Sequence, residues 1–156
     1  MIRKEGDMAE TEAKHSKVVP ISKLWWVGLL AIIGVTIINL LFFWITRDLL
    51  GVPYYVPVEG YSGGPPKLLS MMEVIVNVNL VPGAIATIVL AFLGIFLNRP
   101  FLMFWIILVV FLLMEFILQF ASSTDIATST RICLNLMNII MVLVMGGGLT
   151  KFGRVK

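Results

Sequence analysis

The chain has one cysteine, Cys133, and one histidine, His15. A lone cysteine excludes an intrachain disulfide and CxxC redox chemistry. One His with one Cys argues against a zinc or haem centre of ordinary ligand count, so no metal and no cofactor is expected. Cys133 lies within an apolar stretch and reads as a small buried apolar side chain. Charge is scarce too: 13% of residues are Asp, Glu, Lys or Arg, against about 25% in a soluble domain. The net charge is +3 and the basic residues sit mainly in the two tails, which points to anionic lipid and not to nucleic acid. No nucleophile stands near a base at useful spacing. Glu73 and Glu115 belong to different depths of different segments, so no catalytic residue is assigned and no enzyme is expected.

Apolar residues are abundant, at 59%. They gather in four segments, 24–44, 74–97, 101–121 and 132–149. Residues 101–121, FLMFWIILVVFLLMEFILQFA, are apolar except for Glu115 and Gln119. At roughly 1.5 Å per residue that stretch reaches about 31 Å, the hydrocarbon thickness of a bilayer. The fold class is therefore all-α: a polytopic membrane protein, an antiparallel bundle of four transmembrane helices at about 24–46, 70–98, 100–121 and 126–149. A flexible cytoplasmic tail, 1–23, precedes the bundle and a basic cytoplasmic tail, 150–156, follows it. The first apolar segment is too long for a signal-peptide core and ends in Phe42-Phe43-Trp44 instead of small residues, so it stays as a membrane helix.

Along the chain, Trp25, Trp26 and Trp44 mark both interfaces of the first helix, and Gly28, Ala31 and Gly34 provide small residues for close contact. The outer loop, 47–69, holds all three tyrosines and four of the seven prolines. Its Val, Tyr and Pro content predicts an ordered lid over the end of the bundle, with a short strand-like piece and Tyr54, Tyr55 and Tyr61 as its aromatic residues. In the second helix Glu73 and Asn77 share a face while Asn79 points elsewhere. Pro82-Gly83 should interrupt its ladder, and Gly83, Thr87 and Ala91 form a small-residue row. Asn98-Arg99-Pro100 is a minimal turn that makes the second and third helices antiparallel neighbours. Thr124 or Asp125 should cap the fourth helix, whose last turn the glycines at 146–148 should weaken.

Lys and Arg residues set an orientation. Nine lie in the two tails and the 98–100 turn, against three (Arg47, Lys67, Arg131) on the other side, so both termini face the cytoplasm. Asn39, Asn77, Glu115, Gln119, Arg131 and Asn135 then all fall in the outer half of the membrane, with Asn138 near mid-depth. They form a candidate polar pocket roofed by the lid. Glu115 and Arg131 match in depth, and pairing would remove much of the ~2.5 kcal/mol or more that a charge costs there.

The segments LGVPYYVP, NLVPGAIA, FLNRPFLMF and LNLMNII, set in this order, resemble a family of small four-helix bacterial integral membrane proteins known only as a domain of unknown function. The resemblance spans roughly residues 24–149 and implies a four-helix bundle in a bacterial plasma membrane. It implies no activity, cofactor or substrate. Where it implies a histidine after the Leu-Met of the last helix, this chain has Asn138.

The function expected from these features is a non-catalytic bundle, surrounded by membrane lipid, that binds a lipid or a membrane-protein partner or forms a homo-oligomer. The alternative is a small-solute or proton-coupled transporter using Glu115. Transport needs a polar route through both halves, and here the polar residues stop near mid-depth.

Overall fold

The computed structural model describes residues 21–57, 66–121 and 126–153. Four helices long and apolar enough to cross a membrane run through it: α1 (Ile21–Leu49), α2 (Met71–Phe96), α3 (Pro100–Ala121) and α4 (Thr128–Phe152). The chain is a polytopic all-α membrane protein. Each helix is apolar nearly all round, because lipid solvates its outer face as well as its neighbours solvate its inner one. Leu30, Ile37, Ile85, Phe92, Leu113 and Ile117 accordingly point outward, while Val35, Leu90, Phe104 and Met145 fill the core.

The helices differ in how deeply they sit. α4 is the most enclosed, with 44% of its most apolar stretch buried, and α3 the most peripheral, with 11%. Mean hydropathy runs the opposite way, lowest for α4 and highest for α3. A helix facing lipid gains from Leu, Ile and Phe, whereas one facing other helices gains from small and polar residues. α4 packs against α1 and α3, and α2 bridges α1 and α3.

Glycine permits the closest approaches. A Cβ on Gly28 of α1 would lie 2.5 Å from Thr87 Oγ1 of α2, and one on Gly83 of α2 would lie 2.6 Å from Ile32 Cγ1 of α1. The row at Gly83 and Thr87 thus meshes with Gly28. A Cβ on Gly146 of α4 would lie 2.7 Å from the Trp105 ring of α3. This contact explains a departure from expectation: α4 continues as a helix through all three glycines to Phe152. Packing of the Trp105 ring outweighs the low helix propensity of glycine, ~1 kcal/mol.

At the other end, called the lid end below, a hairpin covers the bundle. Strands β1 (Tyr55–Pro57) and β2 (Pro66–Leu68) pair antiparallel with Tyr55 opposite Leu68. Tyr54 anchors it. The ring is fully buried, 4.6 Å from that of Phe43, and the phenol shares a 2.6 Å hydrogen bond with Thr46 Oγ1. Leu69 N–H donates to Tyr54 O, and Thr130 Oγ1 of α4 donates to Pro53 O at 2.5 Å. Burial pushes the phenol pKa up, with the Cys133 thiol beside it adding to the rise. Tyr55 is exposed on β1, and Tyr61 lies outside the described residues.

α2 opens with a capping box at Ser70. Ser70 Oγ accepts from Glu73 N–H, Glu73 Oε2 accepts from Ser70 N–H, and Lys67 forms an ion pair with the same carboxylate. The expected interruption at Pro82-Gly83 takes the form of a π-helical stretch, Val74–Leu80, followed by α-helix from Val81 to Phe96. Proline has no N–H and its ring crowds the carbonyl four residues back, here that of Val78. Widening the preceding turns relieves that crowding. Thr124 and Asp125 lie outside the described residues, and α4 starts beyond them at Thr128. Its N-cap position is Ala127, which has no side chain to cap with.

Candidate functional site

The polar side chains of the lid half form two separate hydrogen-bonded groups and one cavity. In the first group Asn39 Nδ2 of α1 donates to Asn79 Oδ1 of α2 at 2.7 Å and to Met137 O of α4 at 3.3 Å. Asn79 Nδ2 donates to Val74 O, five residues upstream, at 2.7 Å. Both amides are fully buried. Asn79 points away from Asn77, as its spacing predicts, and is the partner of Asn39. Spacing within one helix separates Asn79 from Asn77 but does not name its partner on α1, and both Asn77 and Asn79 lie in the π stretch.

The second group joins α3 to α4. Asn135 Nδ2 donates to Gln119 Oε1 at 2.6 Å and to Arg131 O at 2.9 Å. Arg131 Nη1 donates to Gln119 O at 2.7 Å and to Phe120 O at 3.3 Å, while Nε donates to Ile126 O at 3.2 Å. The guanidinium thus caps the last carbonyls of α3, which have no partner within the helix and carry its negative dipole end. No ion pair joins Arg131 to Glu115 among the described residues. The carbonyls at the end of α3 lie at the same level as the guanidinium, whereas Glu115 sits more than one turn deeper.

Glu115 lines a cavity of about 200 Å³ instead. α2 contributes Asn77, Val78 and Pro82; α3 contributes Phe111, Glu115 and Gln119; α4 contributes Leu134, Asn138, Met141 and Val142. The cavity has a structural origin. α3 packs on α2 along Val81–Phe96, whereas the π stretch above packs on α1, so the two helices part toward the lid end. Asn77 and Phe111 are exposed at the rim, and Glu115 is half-buried within. Among the described residues the carboxylate has no hydrogen-bond or ion-pair partner.

Of the six residues expected to form one pocket, the cavity brings together Asn77, Glu115 and Gln119. Asn135 stands behind it, bonded to Gln119; Arg131 closes the end of α3; Asn39 belongs to the amide pair beside α1. Asn138 is a further lining residue, and its depth in the sequence was the signal for it. A smaller apolar cavity of about 130 Å³ continues between α2 and α3 toward the other end of the bundle. Ile85, Ala86, Val89, Phe104, Ile107 and Leu108 line it, and it shares Pro82, Phe111 and Met141 with the polar cavity. A third, larger groove of about 660 Å³ lies between α1 and α4 near Lys23 and Phe152 and is lined mainly by Val, Leu, Ala and Gly. No cluster of three or more His, Cys, Asp or Glu side chains occurs among the described residues.

Residues 19–154 match the model of a family described as a family of unknown function (DUF6069). No curated protein and no solved structure matches the chain.

Proposed function

The chain belongs to this family of unknown function, and from that premise we propose that it is a non-catalytic membrane bundle that binds a lipid or a partner protein through its lid end, with the cavity at Glu115 as an outward-facing pocket. The division of the bundle carries this reading. Amides and a carboxylate from three helices surround a cavity near the lid, whereas the half nearer the termini presents almost only apolar side chains and glycine, in its core and in the two cavities it holds. A bacterial plasma membrane with both termini cytoplasmic accords with the excess of Lys and Arg at the terminal end. Native mass spectrometry on protein extracted from its own membranes tests the proposal. A lipid, a partner chain or a second copy should remain bound in fixed stoichiometry; a bare monomer in every mild detergent overturns it.

The unpartnered carboxylate favours a second reading, transport of a small solute or of protons through Glu115. Against it, the way from the cavity toward the termini offers only apolar side chains: Val35 and Leu90 fill the core, and Phe104 and Leu108 line the slot between α2 and α3. Flux into liposomes that disappears in Glu115→Gln would establish transport, and equal flux in both proteins would remove it.

A further inference from the structure

The polar and apolar cavities between α2 and α3 are continuous in their walls. Pro82, Phe111 and Met141 line both. One end therefore offers a carboxylate with amide neighbours, and the other a slot of aliphatic and aromatic side chains. We infer that this cleft binds an amphiphile whose cationic head is a primary ammonium attached directly to an alkyl chain, the head at Glu115 and the chain between α2 and α3. The inference rests on the reading of the lid half as a binding region and names the ligand chemistry.

Charge and geometry select this class. A carboxylate set at membrane depth without a hydrogen-bond or ion-pair partner among the described residues is satisfied by a proton or by a cation. The cavity of about 200 Å³ has room for far more than a proton, equal to roughly six waters at ~30 Å³ each. Asn77 and Asn138 add neutral amide oxygens that accept from N–H donors. A divalent metal calls for six or more oxygen ligands, commonly with several carboxylates, and the cavity has a single carboxylate. The slot begins where the polar wall ends, so no room separates charge from chain. An ammonium linked to its chain through phosphate and glycerol fits that spacing less well than one carried by the chain itself. Asn77 and Phe111 are exposed at the rim, which leaves the cleft open sideways to a ligand already dissolved in the bilayer.

Dodecylamine is the probe, with dodecanol as its uncharged counterpart, each titrated into purified protein in a neutral detergent and read by native mass spectrometry. One equivalent of dodecylamine should bind, dodecanol should bind at least tenfold more weakly, and Glu115→Gln should lose at least tenfold for the amine while leaving dodecanol unchanged. Val89→Phe, which fills the slot, should weaken both. Asn77→Leu, at the exposed rim, should weaken the amine alone and serves if Glu115→Gln fails to fold. Equal binding of amine and alcohol, or undiminished amine binding by folded Glu115→Gln or Asn77→Leu, overturns the inference. Competition by vesicles containing phosphatidylethanolamine that matches competition by free alkylamine would place a lipid headgroup at Glu115 and overturn the inference of a chain-borne ammonium; competition by free alkylamine alone would support it. A natural lipid or partner retained from native membranes, together with no response to dodecylamine, would leave the binding function standing and reject only this ligand.

Discussion

The two halves of the bundle hold the same four helices together by different means. Near the termini the helices meet through shape: Gly28 against Thr87, Gly83 against Ile32 and Gly146 against Trp105. Near the lid they meet through hydrogen bonds: Asn39 to Asn79, Gln119 to Asn135, Thr130 to the Pro53 carbonyl. In lipid the burial of apolar surface barely discriminates one helix neighbour from another, so association depends on close packing or on polar pairing. Close packing fills space at the points of contact, and the openings that remain in that half, between α1 and α4 and between α2 and α3, are lined almost wholly by apolar side chains. Polar pairing fixes helices at a few points and tolerates gaps between them, and the polar cavity lies in such a gap.

The contrast is broken most severely by adding bulk to the packed half. Gly28→Val should destabilise by about 1–3 kcal/mol, because its side chain enters the space of Thr87. Gly34→Val should leave stability unchanged, since nothing lies within 4 Å of the added Cβ. Denaturant unfolding in mixed micelles would measure both. In the hydrogen-bonded half, Asn39→Leu should lose about 1–2 kcal/mol by stranding Asn79, a cost near the upper end of membrane hydrogen bonds. The double variant Asn39→Leu, Asn79→Leu should recover part of that loss in the same assay, as expected when no buried amide lacks its partner.

A finer test concerns the lid. Tyr54→Phe removes the bond to Thr46 and should cost about 0.5–1.5 kcal/mol. Faster amide exchange at Leu69 and Val52, whose N–H groups bond to Tyr54 O and Thr46 O, would report it. The smallest effect is a pH dependence. Burial raises the Tyr54 pKa in the folded protein, so the phenol stays neutral where an unfolded tyrosine ionises. Its contribution is fully present below the ordinary value of ~10 and is lost as pH rises beyond it toward the folded value. Spectrophotometric titration should show one tyrosine resisting ionisation until the fold opens, and Tyr54→Phe should remove that component.

How far the chain could be read in advance follows from which interactions are local. The four apolar segments, the tight turn at Asn98-Arg99-Pro100 and the Gly83–Thr87 row are legible because lipid and steric fit act on composition and spacing alone. The capping box at Ser70 and Glu73 was equally open to reading from its spacing. The partner of Asn39 was not. Its choice depends on a π stretch that no hydrophobic period announces in a segment apolar on every side. Arg131 misled for another reason. Sequence displays carboxylates but not backbone carbonyls, and the end of α3 supplies carbonyls within reach. Glu115 therefore entered the cavity without the ion pair its depth suggested.

The π stretch also governs which changes of length α2 can accept. Each of its bonds spans one residue more than an α-helical bond. A variant one residue shorter between Glu73 and Pro82 would close the wide turns into plain α-helix and leave the Ser70 cap and the contact at Gly83 near their present positions, whereas one residue more would rotate the flanks by about 100° against each other. Along this segment one residue is spare: the helix can lose it and keep its ends in place, but it cannot take another.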